Sequence, residues 1–157
     1  MIGRIRELEP TDIPACAAIL SDLPEWFDVS ESTRSYIEGL SYLPAVVVDH
    51  EDRVIGFVSI RSHNDRSAEI DVMALRRKSH RSGVGQALVK WCLEWCRSNG
   101  VTWLHVKTRG PTTPDPFYER TRQFYEAVGF DPLFESQTLW GAEDAALILI
   151  CKVEPLA

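Results

Sequence analysis

Arg76-Arg77-Lys78-Ser79-His80-Arg81-Ser82-Gly83-Val84-Gly85-Gln86-Ala87-Leu88 is the stretch of this chain best equipped for chemistry, because a basic run leads through two glycines into residues with helical apolar spacing. Without side chains at Gly83 and Gly85 the backbone can bring several N–H groups against one anion, and the helix start adds the positive end of its dipole. Four of the 17 Lys and Arg residues fall within positions 76–81 of a chain with net charge −6, so the local field opposes the global one. A phosphate-bearing ligand is expected. The residues placed to hold it are His80, Arg81, Ser82, Gly83, Val84, Gly85 and Gln86, while Arg76, Arg77 and Lys78 are also compatible with a solvated charge run.

Residue types separate three kinds of phosphate site. A P-loop needs Lys-Ser or Lys-Thr after its last glycine to reach terminal phosphates and magnesium, and Gln86-Ala87 stands there instead. A dinucleotide fingerprint needs a third glycine, whose place is taken by Leu88, and an acidic residue roughly 20 positions on at the end of a second strand. What remains is the pyrophosphate arm of coenzyme A. The stretch resembles the acyl-CoA-binding motif of the GNAT N-acetyltransferase superfamily, with His80 where Gln or Arg is usual. Val54-Ile55-Gly56-Phe57 is similar to that superfamily's hairpin strand, and Phe124-Tyr125-Glu126-Ala127-Val128-Gly129-Phe130 to its late helix-to-strand motif, so the resemblance runs over nearly the whole chain.

The resemblance implies transfer of an acetyl group from acetyl-CoA to a primary amine, on a small molecule or a peptide, by direct attack in a ternary complex. That chemistry needs a polarised carbonyl, a deprotonated amine and a proton for the leaving thiolate. By resemblance the backbone N–H groups of Met73 and Leu75 polarise the carbonyl. Tyr125 matches the general acid, a role suited to a phenol with pKa about 10. Glu69 matches the base of some members, and Asp71, two residues along and on the same face, is the second choice. A non-catalytic acyl-CoA sensor or partner module on the same fold is the alternative, and the presence of Tyr125 and Glu69 favours the enzyme.

Other residues carry weaker signals. Tyr118, Arg122 and Tyr125 share a helical stripe that is a candidate cofactor face. Acidic and aromatic residues alternate in Ser21-Asp22-Leu23-Pro24-Glu25-Trp26-Phe27-Asp28, which suits either a cationic acceptor or a loop pinned to the core by Trp26 and Phe27. His63 is expected in a loop and His105 on a core-rich strand. Cys16, Cys92, Cys96 and Cys151 show no C-x-x-C spacing, and none lies beside a base, so they are expected as core thiols with no covalent role and no metal.

Positioning these residues requires a run of elements that the patterns supply. Ile2 to Leu8 alternates as a strand; helices follow to about Leu20 and, after Ser30 or Ser32, to about Tyr42. Ala45 to Asp49, Val54 to Arg61 and Ala68 to Leu75 read as strands, the first two at hairpin spacing. A helix runs from Gly83 to the stop at Asn99-Gly100, then a strand from Trp103 to Thr108, a helix from about Phe117 to Val128, and strands at Phe130 to Glu135 and Ala145 to Val153. This order predicts an α/β fold with a mixed sheet and helices on both faces. It is also the GNAT order, which implies a largely antiparallel sheet.

The 157 residues fit one domain, 1–157. With 45% hydrophobic and 25% charged residues, no apolar run of spanning length and no signal-peptide pattern at the N-terminus, a cytoplasmic protein without membrane partner is expected. A pI near 5.2 disfavours nucleic acid. Assembly as a homodimer is left open.

Overall fold

A single hydrogen-bonded sheet of seven strands runs through the computed structural model, which describes residues 2–28, 30–141 and 143–155. The strands are β1 (Arg4–Glu7), β2 (Ala45–His50), β3 (Arg53–Asn64), β4 (Ser67–Leu75), β5 (Trp103–Arg109), β6 (Asp131–Ser136) and β7 (Ala146–Lys152). The helices are α1 (Ile13–Ser21), α2 (Glu31–Gly39), α3 (Val84–Ser98) and α4 (Pro116–Ala127). Spatial order is β1-β2-β3-β4-β5-β7-β6. The pairs β1–β2, β2–β3, β5–β7 and β6–β7 are antiparallel, whereas β4 runs parallel to β5. The sheet is therefore mixed and mostly antiparallel. No helix among the described residues is long and apolar enough to cross a membrane.

The chain divides into two compact units. The first takes the residues up to Arg61 together with Ile70–Glu94. Its core joins Cys16, Ile19, Leu20 and Leu23 from the α1 region to Leu40, Val47, Phe57, Val72 and Ala74, with Trp26, Phe27 and Tyr36 packed at its margin. The β2–β3 hairpin turns on Glu51 and Asp52, both left-handed at φ 52 and 60, the paired signature of a type I′ turn. Close approach of β4 explains Gly56, since a Cβ there would meet Leu75 Cδ2 at 3.2 Å and Ala74 O at 3.3 Å.

One polar cluster fixes the start of this unit. Arg6 on β1 forks onto Asp12, 2.8 and 2.9 Å to its two carboxylate oxygens, and also donates to Asp49 on β2. Asp12 in turn accepts from the Glu9 N–H, which closes the turn leading into α1. The Arg6 guanidinium holds the Asp12 carboxyl below its usual range, over the opposing effect of burial.

The second unit takes Ser62–Glu69 and the residues from Trp95 onward. Central strand β7 pairs with both β5 and β6, and Leu104, Val106, Leu149 and Phe130 are buried there. Asp115 caps α4 by accepting from the Phe117 and Tyr118 N–H groups, and Pro116 opens the helix where its missing N–H costs nothing. The end of α3 is closed by Gly100 at φ 71, with Val101 N–H reaching Cys96 O.

Two boundaries differ from expectation. α2 stops at Gly39 rather than near Tyr42, where the chain tightens into turns in which the N–H groups of Leu40, Ser41 and Tyr42 reach the carbonyls three residues back. β3 continues past Arg61 to Asn64, and so His63 is a strand residue, not a loop residue. Asn64 makes this happen: its side-chain oxygen accepts from the N–H groups of Arg66 and Ser67, tightening the turn so that polar residues are carried to the strand end.

Candidate active site

The phosphate loop lies wholly within the first unit. Beyond Leu75 the chain is anchored by Arg76, whose N–H donates to Ile55 O at 2.9 Å and whose Nε donates to Val54 O at 2.8 Å. A turn of 3-10 helix at Arg77–Ser79 follows, stitched by Ser79 N–H to Arg76 O and by the Ser82 hydroxyl to Ser79 O. Arg81 and Gly83 then adopt left-handed backbone, φ 60 and 89. Alternating handedness of this kind gathers successive N–H groups into an anion-binding concavity. Gly83 O accepts the Ala87 N–H, which sets the start of α3, and the first-turn N–H groups of a helix have no partner within it.

The basic run divides by role. Arg76 is spent on Val54 O, and Arg77 grips Glu25 through both carboxylate oxygens while also donating to Asp22 O. These two are structural ties rather than a solvated run. Lys78 and Arg81 are exposed. His80 directs Nε2 to Leu75 O at 3.0 Å and meets the edge of Trp26 at 5.8 Å between ring centroids. The loop after α1 is thus pinned: Glu25 is neutralised by Arg77, Trp26 packs against His80, and Phe27 packs edge-on against Tyr36.

Met73 and Leu75 lie on β4 beyond Glu69, where its parallel register with β5 ends among the described residues. Their neighbour Asp71 is bound to Arg61 Nε at 3.0 Å and keeps its second oxygen buried without a hydrogen-bond partner. Asp71 is therefore part of a strand-to-strand ion pair.

Glu69 has a different setting, in the second unit. The parallel register places it directly beside His105, and only 7% of it is exposed. His63 Nε2 lies 2.8 Å from Oε1, His105 Nε2 lies 3.6 Å from Oε2, and Lys107 Nζ reaches the two oxygens at 3.3 and 3.2 Å. Burial pushes the His105 imidazole down, against the pull of the Glu69 charge. Sequence spacing placed His63 in a loop because it stands among polar residues; the signal for its strand position beside Glu69 is Asn64 ahead of Asp65-Arg66, which extends the strand.

Tyr125 on α4 is buried, 5% exposed, with its ring edge-on to Phe124 and Phe130 at 5.2 and 5.4 Å. The stripe it shares turns toward β5: Arg109 lies over the Tyr118 ring at 5.4 Å, and Arg122 donates to Arg109 O at 2.7 Å. All four cysteines are buried, and burial pushes the thiols of Cys16 and Cys96 up to about 12 and 11. Thiols held protonated in this way are poor nucleophiles.

The chain as a whole is similar to known proteins in sequence profile and in fold. The sequence profile of the acetyltransferase (GNAT) family matches residues 13–130. Among solved structures, a Desulfovibrio desulfuricans protein assigned to the GNAT acetyltransferases superposes with a TM-score of 0.82 at 19% identity, over 96% of this chain and 99% of that one. An aminoglycoside 6'-N-acetyltransferase complexed with coenzyme A gives 0.79 at 16% identity, over 98% and 99%. The ribosomal-protein-S18-alanine N-acetyltransferase of Escherichia coli gives 0.76 at 19%, over 98% and 95%. No curated protein matches by sequence. At these identities the structural likeness speaks for the fold, and the profile match across most of the chain speaks for the family. The chain belongs to the acetyltransferase (GNAT) family, and with it to the acyltransferases.

Proposed function

We propose that this protein is an N-acetyltransferase that moves an acetyl group from acetyl-CoA to a primary amine by direct attack within a ternary complex. The observation that carries the donor assignment is the left-handed pair Arg81 and Gly83 ahead of α3, a backbone shaped to hold a pyrophosphate with an exposed guanidinium beside it. His80, Ser82, Val84, Gly85 and Gln86 complete that cradle. The backbone N–H groups of Met73 and Leu75 polarise the thioester carbonyl.

An alkylamine arrives protonated at neutral pH, so a base must take its proton before nitrogen attacks the carbonyl carbon. Glu69 does this, and His63, exposed at its outer side, offers the proton a way to solvent. Collapse of the tetrahedral intermediate breaks the C–S bond, and Tyr125 protonates the departing thiolate. The elevated cysteine thiols support direct attack over an acyl-enzyme route. The acceptor class, a small-molecule or peptide amine, is supported by relatives whose names record an aminoglycoside and a ribosomal-protein alanine as acceptors.

Thiol release from acetyl-CoA, measured against a panel of amines, amino acids, polyamines and peptide N-termini, tests the assignment. Turnover with at least one amine and none with hydroxyl acceptors is expected. Tight coenzyme A binding with no turnover on any acceptor would make the protein a binding module instead.

A further inference from the structure

His63, Glu69 and His105 bring two imidazoles and a carboxylate together from the ends of β3, β4 and β5, all within the second unit. Their ligating atoms lie within 4.8 Å of one another, with 2.8 Å from His63 Nε2 to Oε1 and 3.6 Å from His105 Nε2 to Oε2. Bonds of about 2.1 Å in tetrahedral geometry ask for ligand atoms roughly 3.4 Å apart, and each imidazole lies near that distance from one carboxylate oxygen, a different oxygen for each. Ligation through one shared oxygen asks for small side-chain rotations and a closer approach of the imidazoles, which the 39% exposure of the His63 side chain leaves room for. The His105 ring is held by the parallel ladder and stacks on His63 at 5.2 Å between centroids.

The Glu69 carboxylate already faces one cation in this structure. That cation is the competitor: the Lys107 ammonium rests 3.2 Å from Glu69 Oε2, on a flexible stem whose side chain is 29% exposed. We propose that His63, Glu69 and His105 form a site for a transition-metal dication of the zinc type, for which Lys107 is the resident internal competitor. Two nitrogen ligands and one oxygen select zinc, cobalt, nickel or copper over calcium and magnesium, and three protein ligands leave a position for water.

The test uses metal alone on chelator-stripped full-length protein, with Zn2+ followed by calorimetry and Co2+ by its visible d–d absorption at pH 7.5. One equivalent of each should bind saturably, and Ca2+ and Mg2+ should not compete. His63→Ala and His105→Gln should each weaken binding by at least about tenfold. Lys107→Gln should tighten it several-fold by removing the competing charge. His63 is a surface position, so its variant reports on ligation even if the His105 change disturbs the strand. Absence of a saturable Co2+ spectrum in both wild type and Lys107→Gln, or equal affinity in wild type and His63→Ala, would overturn the proposal. None of these readouts involves acetyl transfer, so they fail or succeed separately from turnover; a dication on Glu69 would occupy the carboxylate proposed as the base and so would inhibit transfer rather than assist it.

Discussion

Arg81 is the residue on which local strain and ligand binding meet. A non-glycine residue in left-handed backbone costs about 1–2 kcal/mol, yet a long cation stands there rather than glycine. Arg81→Gly should therefore stabilise the fold by up to about 1 kcal/mol while weakening coenzyme A binding about tenfold, and Arg81→Ala should weaken binding without the gain. Thermal unfolding and calorimetry on the two variants check this; equal stability changes would mean that the loop carries no strain at Arg81. At Tyr125 the ring fills space against Phe124 and Phe130, and the proposed chemistry falls to the hydroxyl. Tyr125→Phe should lower kcat at least about tenfold with little change in the KM for acetyl-CoA, and wild-type turnover would remove the tyrosine from the mechanism. Arg81, the glycines and Tyr125 were legible in the sequence because motif spacing is local. The grouping of His63, His105 and Lys107 around Glu69 was not, because what unites them is a strand register that no local pattern states.

Among the elements, the first strand and first helix depend on a single carboxylate. Asp12 closes the turn before α1 and takes both arms of the Arg6 fork. Replacing it with Asn removes charge-assisted hydrogen bonds from a mostly buried group, at a cost of about 2 kcal/mol. Because Arg6 lowers the carboxyl's pKa in the folded state, its contribution is complete above the unfolded value near 3.9 and is lost as pH falls through the folded value. Urea midpoints of wild type and Asp12→Asn should differ clearly at pH 7 and converge as pH falls below the unfolded carboxylate value and through the lowered folded one; a gap independent of pH would refute the linkage. Element order and type were readable from periodicity, as the β2–β3 hairpin at Glu51-Asp52 shows. The ends of α2 and β3 were not, since a tightening to three-residue turns after Ile37 and the side-chain oxygen of Asn64 decided them, and neither leaves a mark in hydropathy.

Across the whole molecule the net charge is −6, and the phosphate loop has to attract an anion against that field. Sequence composition suggests four cations for the task, but Arg76 and Arg77 are turned to other work, Arg77 on Glu25. Glu25→Gln should release the Arg77 charge toward the loop, tightening coenzyme A binding several-fold near 0.02 M salt and giving no advantage near 0.5 M, where screening is nearly complete over a few ångströms. Titrations at the two salt concentrations decide it, and a benefit that persists at high salt would point to a change of shape instead. The Glu25–Arg77 contact thus acts as a built-in counterion: it keeps part of the loop's attraction masked, and it makes the ionic strength of the medium a setting for how strongly the donor is held.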